Sequence, residues 1–522
     1  MSHYDVHSLY GYSEGQPTHD ACEEVTGKRC ITVSRSTYPG VQRYIGHWHG
    51  DNTSKWSHVK QSLIATIEFS IYGFSYTGPD TCGFFEDSTE ELCQRWMQLG
   101  AFFVYSRNHN GITFRRQDPA AWGSKFANMS KNILMERYRM LPYLYTLLYR
   151  AHVHGDSVVR SLLSNYPEDK TAWDIDEQMM WGNGLLIAPV LTEATTTVNV
   201  YFPEQRWYDY YSGAEQGTRG DWEEVNAPLD FIPLYLRGGE IVSVQKPAQT
   251  TMDARMNDLG LIVSLDDDME ATGELYWDEG NSIEPIKNGK FTLVKFFYQK
   301  GHLRSEVIVS DITQETHENS GQTVDLVFSH FEINGLSGFI SKIVINGKEL
   351  DDNGWQQNRN GRLQILDSGP LPIGEQFDIF IELDFENSRC NCMPGGGTAE
   401  ECNAKGCIWS ESRNPGVPWC YYSHQSNKIN YGYRAPDAFK TETEMSGNEF
   451  DVDLTNANQD GSYSDPIENA KFQIRRINSN QARVKLTDSS SSRYEISQES
   501  LNYPNQAGSQ SDNTFDIITG NA

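Results

Sequence analysis

The chain has 522 residues, too many for one small module; at about 100–200 residues per domain it predicts three to five. Its 71 acidic and 43 basic residues leave a net charge of −28, which repels phosphate backbones and anionic membrane surfaces and excludes general nucleic-acid binding. Aromatics at 12%, with 27 Tyr and 12 Trp, exclude a disordered composition. Flat rings beside many carboxylates suit sugar binding, although an ordinary acidic secreted protein has the same composition. There is no apolar run of the ~18 residues that a membrane helix needs, and the opening MSHYDVHSLYGYS lacks the pattern of a signal peptide. Five of the nine cysteines fall between Cys390 and Cys420, a disulfide staple of secreted type. Such a staple on a chain with no signal implies a missing upstream segment.

Residues 1–165 alternate short apolar strands with helical spacing. Cys30–Ser34, Tyr44–Trp48, Phe74–Thr77 and Phe102–Tyr105 read as four buried strands, with helices expected at Asp20–Thr26, Ser57–Tyr72 and Thr89–Leu99. This is the pattern of a parallel sheet built from βα units. A long amphipathic stretch, Asn128–His154, follows, with Pro142 expected to kink or divide it. From about Glu168 to Leu383, short alternating runs separated by Gly, Asp and Asn predict antiparallel β structure. We expect two sandwiches, at 166–250 and 251–386, with a boundary near Gln245–Met256. The Cys-rich module occupies 389–422. Residues 427–522 read as a further, partial β domain, with KFQIRRI and ARVKLTD as strands and a polar tail that is not expected to fold.

In a βα barrel the reactive groups gather at the C-terminal ends of the strands. Here Arg35 follows the first strand, Trp48 and Asp51 the second, Asp80 and Phe84 the third, and Arg107 and His109 the fourth. Taken singly, each has an ordinary explanation: Asp51 a helix N-cap, Arg35 a surface charge, His109 a satisfied turn residue. Four successive strand ends carrying such groups in register are harder to attribute to chance.

The segments HWHGDNTS, FSYTGPDTCGFF, SRNHNGITFRRQDP and LPYLYTL, with YDVHSLYG before them and WYDYYSG, LYLRGGEIV and LYWDEGNS after, resemble glycoside hydrolase family 31. The resemblance is greatest to its intestinal maltase-glucoamylase and sucrase-isomaltase group and runs from about Tyr4 to Leu383. It implies a multidomain α/β plus all-β chain: the second half of a (β/α)8 TIM barrel, two C-terminal β-sandwiches, a trefoil, and part of the N-terminal β-sandwich of a second module. It further implies retaining hydrolysis of α-linked glucose from oligosaccharides or disaccharides by an α-glucosidase, without cofactor or metal. Asp51 matches the family's acid/base. Arg35, Trp48, Asp80, Phe84 and His109 match its first sugar subsite, and His49 stands where intestinal members usually have Leu. The nucleophile motif, W-x-D-M-N-E in type, has no match; Trp173–Asp176 (WDID) and Tyr276–Gly280 (YWDEG) are lookalikes expected to be turns. The chain therefore reads as a fragment that is inactive alone, with an open edge at its first barrel strand.

The Cys-rich segment resembles a P-type trefoil in which Cys392, Cys402, Cys407 and Cys420 match the second, third, fourth and sixth cysteines and Ile408 replaces the fifth. The resemblance implies bridges Cys392–Cys407 and Cys402–Cys420, and a family bridge Cys82–Cys93. Cys22, Cys30 and Cys390 stay unassigned. Zinc held by four thiolates is the weaker alternative. Arg493–Ile496 (RYEI) resembles the second module. Asn128-Met129-Ser130 is a sequon expected to carry a glycan, whereas Asn52-Thr53-Ser54, beside Asp51, is expected to stay bare. The location implied is extracellular or cell-surface, with membrane attachment only through an upstream anchor, and lysosomal as second choice. A non-catalytic secreted carbohydrate-binding protein with a trefoil, or a purely structural one, is the competing reading.

Overall fold

A computed structural model describes residues 3–336, 338–358 and 360–384, most of 392–421, and strand segments between 433 and 517. Cys390 and Arg493–Ile496 lie outside the described residues. The chain divides into two units, Met1–Phe385 and Glu386–Ala522.

After two short helical turns, His3–Val6 and His7–Leu9, comes a helix, Tyr10–Thr26, longer at its start than its apolar spacing predicts, and closed by Gly27 in the left-handed region. A disulfide joins Cys22 near its end to Cys30. Five short strands follow: β1 (Thr32–Ser34), β2 (Ile45–Trp48), β3 (Thr77–Gly78), β4 (Asp80–Thr81) and β5 (Arg107–Asn108). Thr32 pairs with Ile45, His47 with Thr77 and Asp80 with Arg107, all in parallel. Tyr105 N–H donates to Thr77 O, so four successive segments form one parallel arc in chain order. The expected strand Phe102–Tyr105 is not one: Phe102, Phe103 and Val104 form buried turns, and the extended pairing begins at Tyr105. The cause is Arg137, whose guanidinium donates to the carbonyls of Ala101, Phe103 and Val104 at 2.6, 2.6 and 3.0 Å. Those acceptors are thus withdrawn from strand pairing. Burial with no carboxylate partner lowers the Arg137 pKa to about 10.

The helix Trp56–Ile71 buries Val59, Leu63, Thr66, Ile67 and Ser70 at three- and four-residue intervals. Glu90–Gly100 is capped by Thr89, whose side chain accepts from Leu92 N–H. Ser124–Arg139 and Leu141–His154 are separate helices divided at Met140, because Pro142 fits the first turn of a new helix better than the interior of an old one.

The first β region is an antiparallel sheet in which Leu234–Arg237 lies between Trp207–Asp209 and Leu185–Ile187, and Met179–Trp181 and Val159–Arg160 complete it. A separate ribbon pairs Thr197–Phe202 with Asp221–Asn226. The strand Glu240–Gln245, expected in this region, instead joins the next sheet, pairing with Leu259–Ser264 and Ala271–Asp278. The division thus falls at the Gly238–Gly239 turn. Two pairs in that 12-stranded sheet are parallel, against the antiparallel expectation. Phe296 and Phe328 lie four strands apart in it, about 19 Å if it were flat. Their ring centroids are 5.4 Å apart, so the sheet folds over a shared core. Tyr276–Asp278 lies within a strand, not a turn as expected: Asp278 is fully buried and accepts from Arg29, Tyr145 and Tyr276. Trp173 and Asp174 do form a turn, in a short 3-10 helix.

In the second unit, the helix Ala399–Ala404 starts on a reciprocal Thr398–Glu401 capping box. Disulfides join Cys392 to Cys407 and Cys402 to Cys420. These thiols are therefore spent in bridges, which overturns the zinc alternative. Asn469–Asn478 and Gln481–Asp488 pair as antiparallel neighbours in a four-stranded sheet. Asp516–Ile517, in the tail not expected to fold, pairs with Thr443–Glu444.

Candidate functional site

Each strand end of the parallel arc delivers one part of a single cluster. Arg35, just past β1, lies over Gly50, just past β2. Gly50 has φ +85°, and a Cβ there would sit 2.5 Å from Arg35 Nε, so only glycine permits this approach. The contact brings Arg35 Nη1 within 3.8 Å of Asp51 Oδ2. Asp51 does not cap the helix that follows it; the N-cap is Lys55.

Asp80 is fully buried, and every donor that reaches its carboxylate uses Oδ1: Trp48 Nε1 at 3.1 Å, Arg107 Nε at 3.0 Å, and the second Arg107 nitrogen. Oδ2 is buried and has no partner among the described residues. Burial pushes the Asp80 carboxyl above the usual carboxylate range, against the opposing pull of Arg107, His109 and Trp48. Arg107 also lies over the Trp48 ring, 5.1 Å from its centroid. Phe84 packs on His109 with ring centroids 5.4 Å apart.

Asn52 ties these pieces together. Its Nδ2 donates to Asp80 O at 2.9 Å and its Oδ1 accepts from Phe84 N–H at 2.9 Å, so the Asp51 loop and the Asp80–Phe84 loop move as one. Cys82 in the latter loop has φ +75°, a conformation that L side chains seldom adopt, and is bridged to Cys93 of the helix beneath. Buried Gln117 donates from Nε2 to the carbonyls of Gly83 (3.0 Å), His109 (3.2 Å) and Thr81 (3.3 Å), joining the third and fourth strand ends.

Arg35, Trp48, Asp51, Asp80, Phe84 and His109 therefore belong to one connected cluster. The sequence reading placed Arg107 in the strand-end series without giving it a role, and it missed two further residues that position the cluster. Asn52 was visible only as a sequon, and Gln117 carried no local signal. Behind the site, His47 stacks on Phe69 at 3.7 Å and bonds Thr37, while His49 bonds Thr77 Oγ1 at 3.0 Å. Burial lowers the pKa of His47 to about 4. Burial, then the neighbouring His47 charge, lowers that of His49 to about 3. Both are neutral at physiological pH.

The arrangement offers a partly exposed carboxyl at Asp51, a buried acceptor at Asp80, and cationic and imidazole donors beside flat rings. That set suits a polyhydroxylated ring better than a metal or a phosphate.

Comparison with known proteins places these residues in a wider context. Residues 1–147 match the TIM-barrel domain of glycosyl hydrolases family 31, residues 155–242 its C-terminal domain, and residues 385–423 a P-type trefoil domain. The chain is 35% identical over 505 residues to intestinal sucrase-isomaltase of Oryctolagus cuniculus, covering 94% of this chain and 27% of that protein. It is 48% identical over 308 residues to a probable maltase-glucoamylase 2 of Homo sapiens, covering 59% of this chain and 12% of that protein. A crystal structure of the glucosidase II alpha subunit in its Glc1Man2-bound form superposes with a TM-score of 0.66 at 25% identity, covering 73% of this chain and 43% of that one. The chain thus spans about a quarter or less of the length of these two curated relatives.

Proposed function

From the premise that the chain belongs to glycoside hydrolase family 31 and carries a P-type trefoil, we propose that its barrel segment supplies the acid/base half of a retaining α-glucosidase site. In this reading Asp51 protonates the leaving glycosidic oxygen, then takes a proton from water as the glycosyl-enzyme is hydrolysed. A carboxylate outside this cluster, ~5–5.5 Å from Asp51 across the anomeric carbon, acts as nucleophile.

One observation carries the reading. Asp80 is fixed through Oδ1 by Trp48 and Arg107, and its buried Oδ2 has no partner among the described residues. A buried, unsatisfied acceptor is costly unless a ligand completes it, and a glucose hydroxyl does so as a donor. Arg35 and His109 supply further polar contacts to hydroxyls, and Trp48 and Phe84 cover the apolar face of the ring. The substrate is a carbohydrate ending in α-linked glucose, and the protein is one of the secretory pathway, as its disulfides require.

The test joins this chain to the first barrel half of a family relative and replaces Asp51 with alanine. Maltose hydrolysis should fall ~10²–10⁴-fold. With p-nitrophenyl α-glucoside, whose leaving group departs without a proton, added azide should then restore turnover and release α-configured glucosyl azide, because the small anion attacks the glycosyl-enzyme without needing the missing base. A β-configured product would make Asp51 the nucleophile, and unchanged hydrolysis would remove it from the reaction.

A further inference from the structure

The ribbon Thr197–Phe202/Asp221–Asn226 has two faces of opposite character. Directly paired residues share a face, and faces alternate along each strand. Val198, Val200, Phe202 and Val225 point into the core of their domain. The other face carries the cross-strand pairs Tyr201–Trp222, Asn199–Glu224 and Thr197–Asn226. Tyr201 is itself buried with the core, and the rest of this face is a row of amide, carboxylate and hydroxyl groups leading to an indole that is 45% exposed.

That indole is firmly seated. Trp222 packs on Tyr201 with centroids 5.4 Å apart, and the Tyr201 hydroxyl donates to Asp169 Oδ2 at 2.7 Å. Asp169 Oδ1 accepts from Thr171 N–H. The same turn presents a second open indole, Trp173, 51% exposed and held by its Nε1 on Pro167 O at 2.8 Å. Two large apolar rings are thus held in water, Trp173 by its own hydrogen bond and Trp222 by packing on the hydrogen-bonded Tyr201 ring. An exposed ring face matches the C–H face of a pyranose. The Asn199 and Asn226 amides and the Glu224 carboxylate at its rim match the hydroxyls, and the chain's net charge of −28 disfavours anionic polysaccharides.

We propose that this face, with Trp173 beside it, is a second carbohydrate site that holds a neutral α-linked glucan chain noncovalently, on a different domain from the Asp51–Asp80 cluster. The α-glucan identity rests on the catalytic reading above; the existence of a sugar platform does not.

The test is electrophoresis of the full chain through native gels containing soluble starch, in an Asp80→Asn background so that retardation does not come from the barrel cluster. Retardation is expected. Trp222→Ala should raise the apparent dissociation constant about ten-fold. Trp173→Ala should raise it by less, as should the paired exposed change Asn199→Ala/Glu224→Gln, with far-ultraviolet circular dichroism unchanged. The proposal is overturned if the parent chain runs unretarded, or if all three variants bind as it does. Retardation on hydroxyethyl cellulose in place of starch would overturn the α-glucan assignment. The azide product from the Asp51→Ala variant tests the catalytic reading separately, so either can fail without the other.

Discussion

Replacing Glu240 with glutamine should stabilise the first unit above neutral pH and leave it unchanged in mild acid. Glu240 opens the strand that crosses from the first β region to the second, directly after Gly239. Burial pushes its carboxyl up to about 7 from an ordinary 4.5, against the pull of Arg237, Arg160 and Arg150. Those arginines are largely committed elsewhere. Arg150 pairs with Asp156 at 2.7 Å and Glu274 at 2.9 Å, Arg160 bonds Asn183 at 2.8 Å, and Arg237 lies over the Tyr166 ring. Below pH 4.5 the carboxyl is protonated whether the chain is folded or not. Between 4.5 and 7 the unfolded chain releases the proton and the folded one keeps it, so stability falls as pH rises. Above 7 the full difference stands, ~3 kcal/mol. Glutamine removes the titration. The urea midpoint of the Glu240→Gln variant, followed by tryptophan fluorescence, should therefore exceed that of the parent at pH 8 and coincide with it near pH 4.5. A shift of equal size at both values, or a loss at pH 8, would refute a half-buried carboxylate held against its preference.

How far the sequence revealed the site depended on the range of the interactions that build it. The strand-end rule located Arg35, Trp48, Asp51, Asp80 and His109 because each follows a short apolar run within a few residues, a relation visible in a window. It misplaced the fourth strand because four apolar residues look like a strand whatever accepts their hydrogen bonds. The deciding group, Arg137, lies more than 30 residues further on. Glu240–Gln245 was assigned to the wrong sheet for a related reason. Its alternation is that of any buried strand, and only its pairing with Leu259–Ser264 on one side and Ala271–Asp278 on the other decides where it belongs. Asp278 looked like a turn residue from its Asp-Glu-Gly neighbours, yet Arg29 and Tyr145, distant in sequence, make its burial tolerable. Gln117 holds three carbonyls of the site together and resembles any loop glutamine until those carbonyls are seen.

Acid should weaken the protein through His47 and His49. Their folded values lie below 6.5, so their contribution is complete above 6.5 and is lost as pH falls toward about 4 for His47 and about 3 for His49. For His47 alone this amounts to ~3 kcal/mol, and His47→Phe should flatten the fall in Tm between pH 7 and 5. Changing Cys82 and Cys93 together to serine should cost ~2–4 kcal/mol by urea denaturation and weaken glucose binding, because the bridged loop carries Asp80 and Phe84. Glycopeptide mass spectrometry of protein secreted from eukaryotic cells should find sugar at Asn128, exposed on its helix, and none at Asn52, whose amide is used at both ends. The 522 residues expressed by themselves should not turn over p-nitrophenyl α-glucoside. Retaining hydrolysis needs two carboxylates across one anomeric carbon. Among the described residues the other carboxylate of the cluster is Asp80, which the Trp48 and Arg107 bonds to its Oδ1 tie into the buried side of the cluster. Asp51 without a partner contributes protonation worth ~10²–10⁴-fold, far short of the 10⁶-fold or more expected of an enzyme. Turnover by the purified chain that disappears in the Asp51→Asn variant would require a second carboxylate within reach of Asp51, and would overturn the roles of Asp51 as acid/base and Asp80 as hydroxyl acceptor.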